Sequence, residues 1–159
     1  MDAGEYFLKT WEKEGAATRK VIERIPEGST YTPDPKSRPA REIAWLIVRE
    51  EILLARGLES GKILWEEVAT PATIKEILAV YDREHPEATR RLNGVKGAKW
   101  DERVPFMFGD QTVMNETALD NAWGFLLDMI HHRGQISTYL RPMGSTVPQI
   151  YGPSADEPM

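Results

Sequence analysis

The chain has 159 residues, 41% of them hydrophobic, which is enough to bury one core and close to the usual size of one domain, so a single domain over residues 1–159 is expected. Its formal net charge of −5 leaves no basic patch to compete for phosphates and argues against nucleic acid as a direct partner. With no cysteine, a disulfide framework, a thiolate metal site and a cysteine nucleophile are all excluded. The acidic start Met1-Asp2-Ala3-Gly4-Glu5-Tyr6 leads into no signal-peptide run, and no stretch of about 18 apolar residues follows. A soluble, cytoplasmic protein with no membrane partner is expected.

Four segments carry helical periodicity. The first runs from about Gly4 to Ile25, with Phe7, Leu8, Trp11, Ala16, Thr18, Val21, Ile22 and Ile25 as its stripe, and Pro26-Glu27-Gly28 ends it. A proline-rich loop then delivers Pro39 to the first turn of a second helix, which should stop at Gly57. Lys62 to Val68 is ambiguous. Thr70-Pro71 and Thr73-Ile74-Lys75-Glu76 supply an N-cap and a first-turn proline for a third helix. Pro86 predicts a kink or break in it near His85, and Asn93-Gly94 its end.

The segment Val95 to Val113 holds Gly97, Pro105 and Gly109 among Trp100, Phe106, Met107 and Phe108. It reads as an apolar loop over one end of the bundle, core or dimer surface, with a substrate pocket as the other reading. The fourth helix is the clearest. Thr117 to Asp120 can cap it, Leu119, Trp123, Leu126, Ile130, Ile136 and Leu140 form its stripe, and Pro142 and Gly144 end it. An extended tail follows, pinned by Ile150 and Tyr151. The expected fold is all-α, an up-down four-helix bundle with long connecting loops.

Helix four also carries the chemistry. Asp128 and His132 are four residues apart and project from one face, a carboxylate and an imidazole suited to one divalent metal: Zn²⁺, Ni²⁺, Mn²⁺ or Fe²⁺. Two groups do not hold a metal well, so a third must come from another helix. The plainer reading is an Asp128–His132 ion pair contributing a few tenths of a kcal/mol if exposed, with no metal. His131, about 100° round the helix, reads as a structural or subunit-contact residue. His85, beside Pro86 and among Arg83, Glu84 and Glu87, reads as solvated. Ser137 and Thr138 lie mid-helix, where hydroxyls usually bond back to a carbonyl instead of acting as nucleophiles. Asn93-Gly94-Val95-Lys96-Gly97 lacks the spacing of a phosphate loop.

The phrase His131-His132-Arg133-Gly134-Gln135-Ile136-Ser137-Thr138-Tyr139-Leu140-Arg141, followed by Val147-Pro148-Gln149-Ile150-Tyr151-Gly152, resembles the C-terminal half of DinB-like (damage-inducible, DinB/YfiT-type) proteins. Ala40-Arg41-Glu42-Ile43-Ala44-Trp45 adds a weaker match. The resemblance implies a four-helix bundle in which three histidines, one from helix two and two from helix four, bind a divalent metal. Carried over position by position, these fall on Leu46, Asp128 and His132, so the chain resembles a branch whose metal site is altered or lost. Glu50, one turn beyond Leu46 on the same face, is the candidate replacement, with Glu51 beside it. A Glu50, Asp128 and His132 site would favour Mn²⁺ or Fe²⁺ over Zn²⁺ more than usual. Arg133 could instead pair with Asp128 or Glu50 and turn the site into a polar network. His131, Arg133, Gln135 and Leu46 complete the candidate set.

Two functions follow. Members with intact sites include metal-dependent transferases and isomerases that use low-molecular-weight thiols, and hydrolases; here Asp128 and His132 would be ligands, Glu50 a third ligand or base, and Arg133 an orienting charge. The alternative is a non-catalytic, metal-free homodimeric bundle that binds a small molecule or a protein partner.

Overall fold

The computed structural model describes residues 1–159 as four long helices and a small sheet. Helix α1 spans Ala3–Glu23, α2 Ala40–Ser60, α3 Ile74–Asn93 and α4 Ala118–Leu140. Strand β1 is Ile63–Trp65, β2 Arg103–Phe108 and β3 Gln111–Thr117, and Gly97–Asp101 forms a 3₁₀ turn before β2. The expectation of an all-α bundle is therefore corrected to a mostly helical fold with a three-stranded sheet.

Three of the four helices begin where a side chain satisfies free amides. Asp2 and Glu5 make a reciprocal capping box on α1, and Thr117 accepts from the Asp120 amide at the start of α4. For α3 the cap is Thr73, boxed with Glu76, and not Thr70; Pro71 lies outside the helix. Glu27, from the loop after α1, adds both carboxylate oxygens to the amides of Ile74 and Lys75, where the helix dipole favours negative charge. Pro39 is the N-cap of α2 instead of a first-turn residue. That helix runs through Gly57, whose missing Cβ admits the backbone of Ile63, and ends at Gly61, which takes φ 87°.

Pro86 does not break α3. Both Pro86 and Asp82, whose carbonyl loses its amide partner, lie on the exposed face, so water can satisfy that carbonyl while the inner face stays packed through Tyr81, Ala88 and Leu92. In α1 the inward alanine is Ala17; Ala16 is exposed.

Packing departs from a simple up-down order. Helix α1 lies against α3 and α4, and α2 lies against the same two. Thus α1 and α2 sit at opposite corners, as do α3 and α4, and the long connections over residues 24–39 and 94–117 cross the bundle. The core between them centres on Phe7, Trp11, Ile47, Leu54, Ile77 and Ile136, all buried.

The segment expected as an apolar loop holds the β2–β3 hairpin, with Arg103 opposite Thr117 and Phe108 opposite Gln111. Gly109-Asp110 make its two-residue turn, with Gly109 at φ 54°. Strand β1 adds in parallel, Ile63 opposite Phe106 and Trp65 opposite Phe108. Because β1 reaches only residues 106–108, Pro105 lies beyond its end and its missing N–H costs no bond to that strand. The 3₁₀ turn buries Trp100 edge-on to Phe7. No helix is long and apolar enough to cross a membrane.

Candidate metal centre

Helices α2 and α4 bring Glu50, Asp128 and His132 together, with one ligand-type atom of each lying within 4.8 Å of the others. Glu50 is 6% exposed, and its Oε2 is buried with no hydrogen-bond partner. An unpaired carboxylate oxygen in that setting is costly unless a proton or a cation reaches it. Burial, then the hydrogen bond and charge of Asp128, push its pKa up to about 10 against the opposing pull of Arg38.

His132 is oriented for its part. Its Nδ1 lies 2.9 Å from the Gln135 side-chain oxygen, which can only accept, so Nδ1 carries the hydrogen and Nε2 faces Asp128 Oδ2 at 3.2 Å. A neutral ring would then set a lone pair against a carboxylate, an arrangement that needs a proton or a metal between them. Asp128 is half exposed and His132 mostly covered, which leaves an approach from solvent. Gln135 thus acts through His132.

The other candidates lie elsewhere. Leu46 is half-buried on the wall of a neighbouring groove with Arg49 and Trp65 and has no ligating atom to offer the three. His131 is exposed. Arg133 does not pair with Asp128 or Glu50: it is 2% exposed and meets the Glu14 carboxylate at 2.7 Å. It also donates to the Glu14 carbonyl, to Thr18 Oγ1 and to the Tyr151 hydroxyl, which donates to Glu14. The Ser137 hydroxyl oxygen is buried without a partner, so no base stands beside it.

His85 is not a solvated histidine. Its ring is stacked between Trp11, at 5.7 Å, and Tyr81, at 5.0 Å, and Nδ1 meets the buried Glu51 carboxylate at 2.8 Å. Burial would lower the His85 pKa, but the hydrogen bond and charge of Glu51 outweigh it and raise it. Burial raises Glu51 in turn. Glu51 therefore belongs to this internal pair and faces away from the metal-type triad.

Beside the triad opens a cavity of about 370 Å³, reached by Glu50 and Asp128. Trp65 of β1, Phe106 of β2 and Met114 of β3 wall one part, and Phe125 of α4 another. Phe106 packs edge-on to Phe125 at 5.5 Å. Sequence reading gave Phe106 the lesser alternative of a pocket residue and missed Trp65 and Met114. The signal was present in Gly109-Asp110 flanked by Val104 to Phe108 and Thr112 to Met114, a hairpin pattern that places residues in register across two strands.

A helical bundle with crossed connections and a sheet over one side, here holding a carboxylate–histidine cluster between α2 and α4, has the fold of solved DinB-like proteins. The DinB family model matches residues 123–159. The chain is 27% identical over 161 aligned residues to the uncharacterized protein YrdA of Bacillus subtilis (strain 168), covering 96% of this chain and 90% of that protein. Among solved structures it is similar to the DinB-like protein YjoA of Bacillus subtilis, with TM-score 0.72 and 18% identity over 91% of this chain and 97% of that one. A DinB-like protein of Bacillus cereus ATCC 10987 gives TM-score 0.73 and 22% identity over 92% and 97%. The resemblance read from the C-terminal phrase holds.

Proposed function

We propose that the chain is a divalent-metal protein whose site is Glu50, Asp128 and His132, with the adjoining cavity as its substrate site and hydrolysis or group transfer as its reaction class. The observation that carries this is the buried, unpartnered Glu50 oxygen close to Asp128 and to a His132 Nε2 that faces Asp128 while Nδ1 meets Gln135. Two carboxylates and one imidazole form a hard donor set, which favours Mn²⁺ or Fe²⁺ over Zn²⁺. When bound, the metal supplies Lewis acidity that activates a nucleophile near neutral pH. Glu50 and Asp128 bring the charge, Gln135 fixes the imidazole, and the Trp65, Phe106 and Phe125 wall limits water around the reacting groups.

Metal analysis of protein purified without an affinity tag, stripped with chelator and reloaded, tests the reading. Close to one Mn²⁺ or Fe²⁺ per chain is expected, reduced in Asp128→Ala and His132→Ala. No uptake of Mn²⁺, Fe²⁺, Ni²⁺ or Zn²⁺, or uptake indifferent to both substitutions, would sink it.

The second reading, a metal-free and non-catalytic bundle, is favoured by one observation: Leu46, which has no ligating atom, stands where the resemblance implies a histidine. Either reading includes a cytoplasmic homodimer, for which light scattering should give twice the 18.1 kDa chain mass.

A further inference from the structure

About 10 Å along α4 from Asp128, given a rise of 1.5 Å per residue, the same cavity has a second polar end built from Asn121, Asp120 and Glu116. Asn121 is 3% exposed. Its amide nitrogen donates to the carbonyls of Val104, Glu116 and Thr117, which fixes which end of the amide is which and leaves Oδ1 buried with no partner. With its donor end consumed, Asn121 offers the cavity only an acceptor. Asp120 and Glu116 add carboxylates, and Asp120 accepts one hydrogen bond, from the Thr117 hydroxyl.

Nothing in the lining answers an anion. None of the lining residues is basic. The guanidinium groups that meet its wall are already engaged there, Arg49 over the Trp65 ring at 4.9 Å and Arg103 beside Glu116 at 3.8 Å, while the charge of Arg38 acts on Glu50. Two of the first three amides of α4, which would otherwise favour an anion, are also taken, Ala118 by the Glu102 carbonyl and Asp120 by Thr117. Buried acceptors without donors select a ligand that brings donors. The remaining wall is aromatic and thioether, Trp65, Phe106, Phe125 and Met114, which suits a flat apolar body and the face of a cation.

We infer that the cavity takes an amine: a primary ammonium group held by Asn121 Oδ1 with Asp120 and Glu116, carried on an aromatic or similarly flat apolar body that lies against Trp65, Phe106 and Phe125. Its catalytic meaning rests on the metal-site reading above, whereas the binding itself does not. Anionic small molecules are excluded from this end.

Calorimetric titration of the full chain with phenethylamine, phenethyl alcohol and phenylacetate, in chelator-stripped and Mn²⁺-loaded samples, tests it. The amine is expected to bind at least about tenfold more tightly than either of the others, since a charge-assisted hydrogen bond outweighs a neutral one by that order. Glu116→Gln, at an exposed position, should weaken the amine several-fold and leave the alcohol unchanged. Gly124→Leu should block both, because Gly124 lines the cavity and a Cβ there meets no heavy atom within 4 Å. Phenylacetate binding as well as the amine, an amine no better than the alcohol, or Glu116→Gln without effect would overturn the inference. Mn²⁺ uptake without amine preference defeats this inference alone, and amine preference without metal uptake defeats the metal reading alone.

Discussion

Arg133 shows what a single residue in the C-terminal phrase does. It is one of the largest fully buried side chains, and its two terminal nitrogens are spent on Glu14, Thr18 and Tyr151. Removing one member of a buried pair strands the other's charge, so Arg133→Ala should lower unfolding free energy by about 3–5 kcal/mol. Replacing both charges, Arg133→Met with Glu14→Gln, should recover much of that loss; denaturant titration of the single and double variants measures it. Gly15 makes a second test. A Cβ there would come within 2.4 Å of His85 Cε1, and that ring cannot retreat because Trp11 and Tyr81 hold it on both faces. Gly15→Ala should therefore cost about 1–3 kcal/mol as an overpacked core position, read as a lowered denaturation midpoint and a changed His85 imidazole resonance. Spacing alone put Asp128 and His132 on one face. It could not find the partners of Arg133 and His85, because Glu14 lies 119 residues from Arg133 and Glu51 lies 34 from His85, and pairs between helices leave no mark on local periodicity.

The elements that a helical reading misses are the ones that finish the molecule. All four helices were legible because an apolar stripe bounded by caps is a repeated signal. The hairpin was obscured because Gly97, Pro105 and Gly109 are chain breakers that sit in loops and in tight turns alike. The tail is similar: the sequence suggests an extended segment pinned by Ile150 and Tyr151, whereas the structure adds a polar clasp. Val147 N donates to Asp156 and Gln149 N donates to Glu157, while Arg141 pairs with Asp156 and Arg24 with Glu157. These bonds pull both carboxyls below their ordinary values of 3.8 and 4.5, the backbone amide of Val147 contributing most for Asp156 and that of Gln149 for Glu157. A carboxyl with a depressed folded pKa stabilises docking above its unfolded pKa, and that contribution is lost as pH falls through the folded value. The tail should thus loosen below about pH 4.5, starting from the ordinary carboxyl value. The amide shifts of Val147 and Gln149 should follow this titration, and Asp156→Asn with Glu157→Gln should abolish it. Unchanged shifts between pH 5 and 3 would contradict the assignment of the two carboxylates as the clasp.

At the scale of the whole molecule, the metal-type triad lies where two opposed demands meet. Helices α2 and α4 pack directly, and an apolar residue in place of Glu50 would serve that packing better than a carboxylate with a buried, unpaired oxygen. Without a cation, Glu50 works against the fold; with one, it becomes a bond between the two helices. Glu50→Gln separates the two states because it keeps the shape, offers Asp128 a donor without first having to take up a proton, and cannot ionise to hold a cation. In chelator-treated protein the variant should unfold later than the parent, by about 1–3 kcal/mol, the usual cost of an unsatisfied buried polar group. In the presence of metal the order should reverse. Parent protein at a hundred times its dissociation constant gains about 2.7 kcal/mol, which for a chain of this size moves the melting temperature by roughly 5–10 °C. The variant should gain little, so the two melting curves cross as Mn²⁺ is added. A parent that melts later than Glu50→Gln at every metal concentration, chelator included, would mean that Glu50 serves the fold itself and that α2 and α4 need no ion between them.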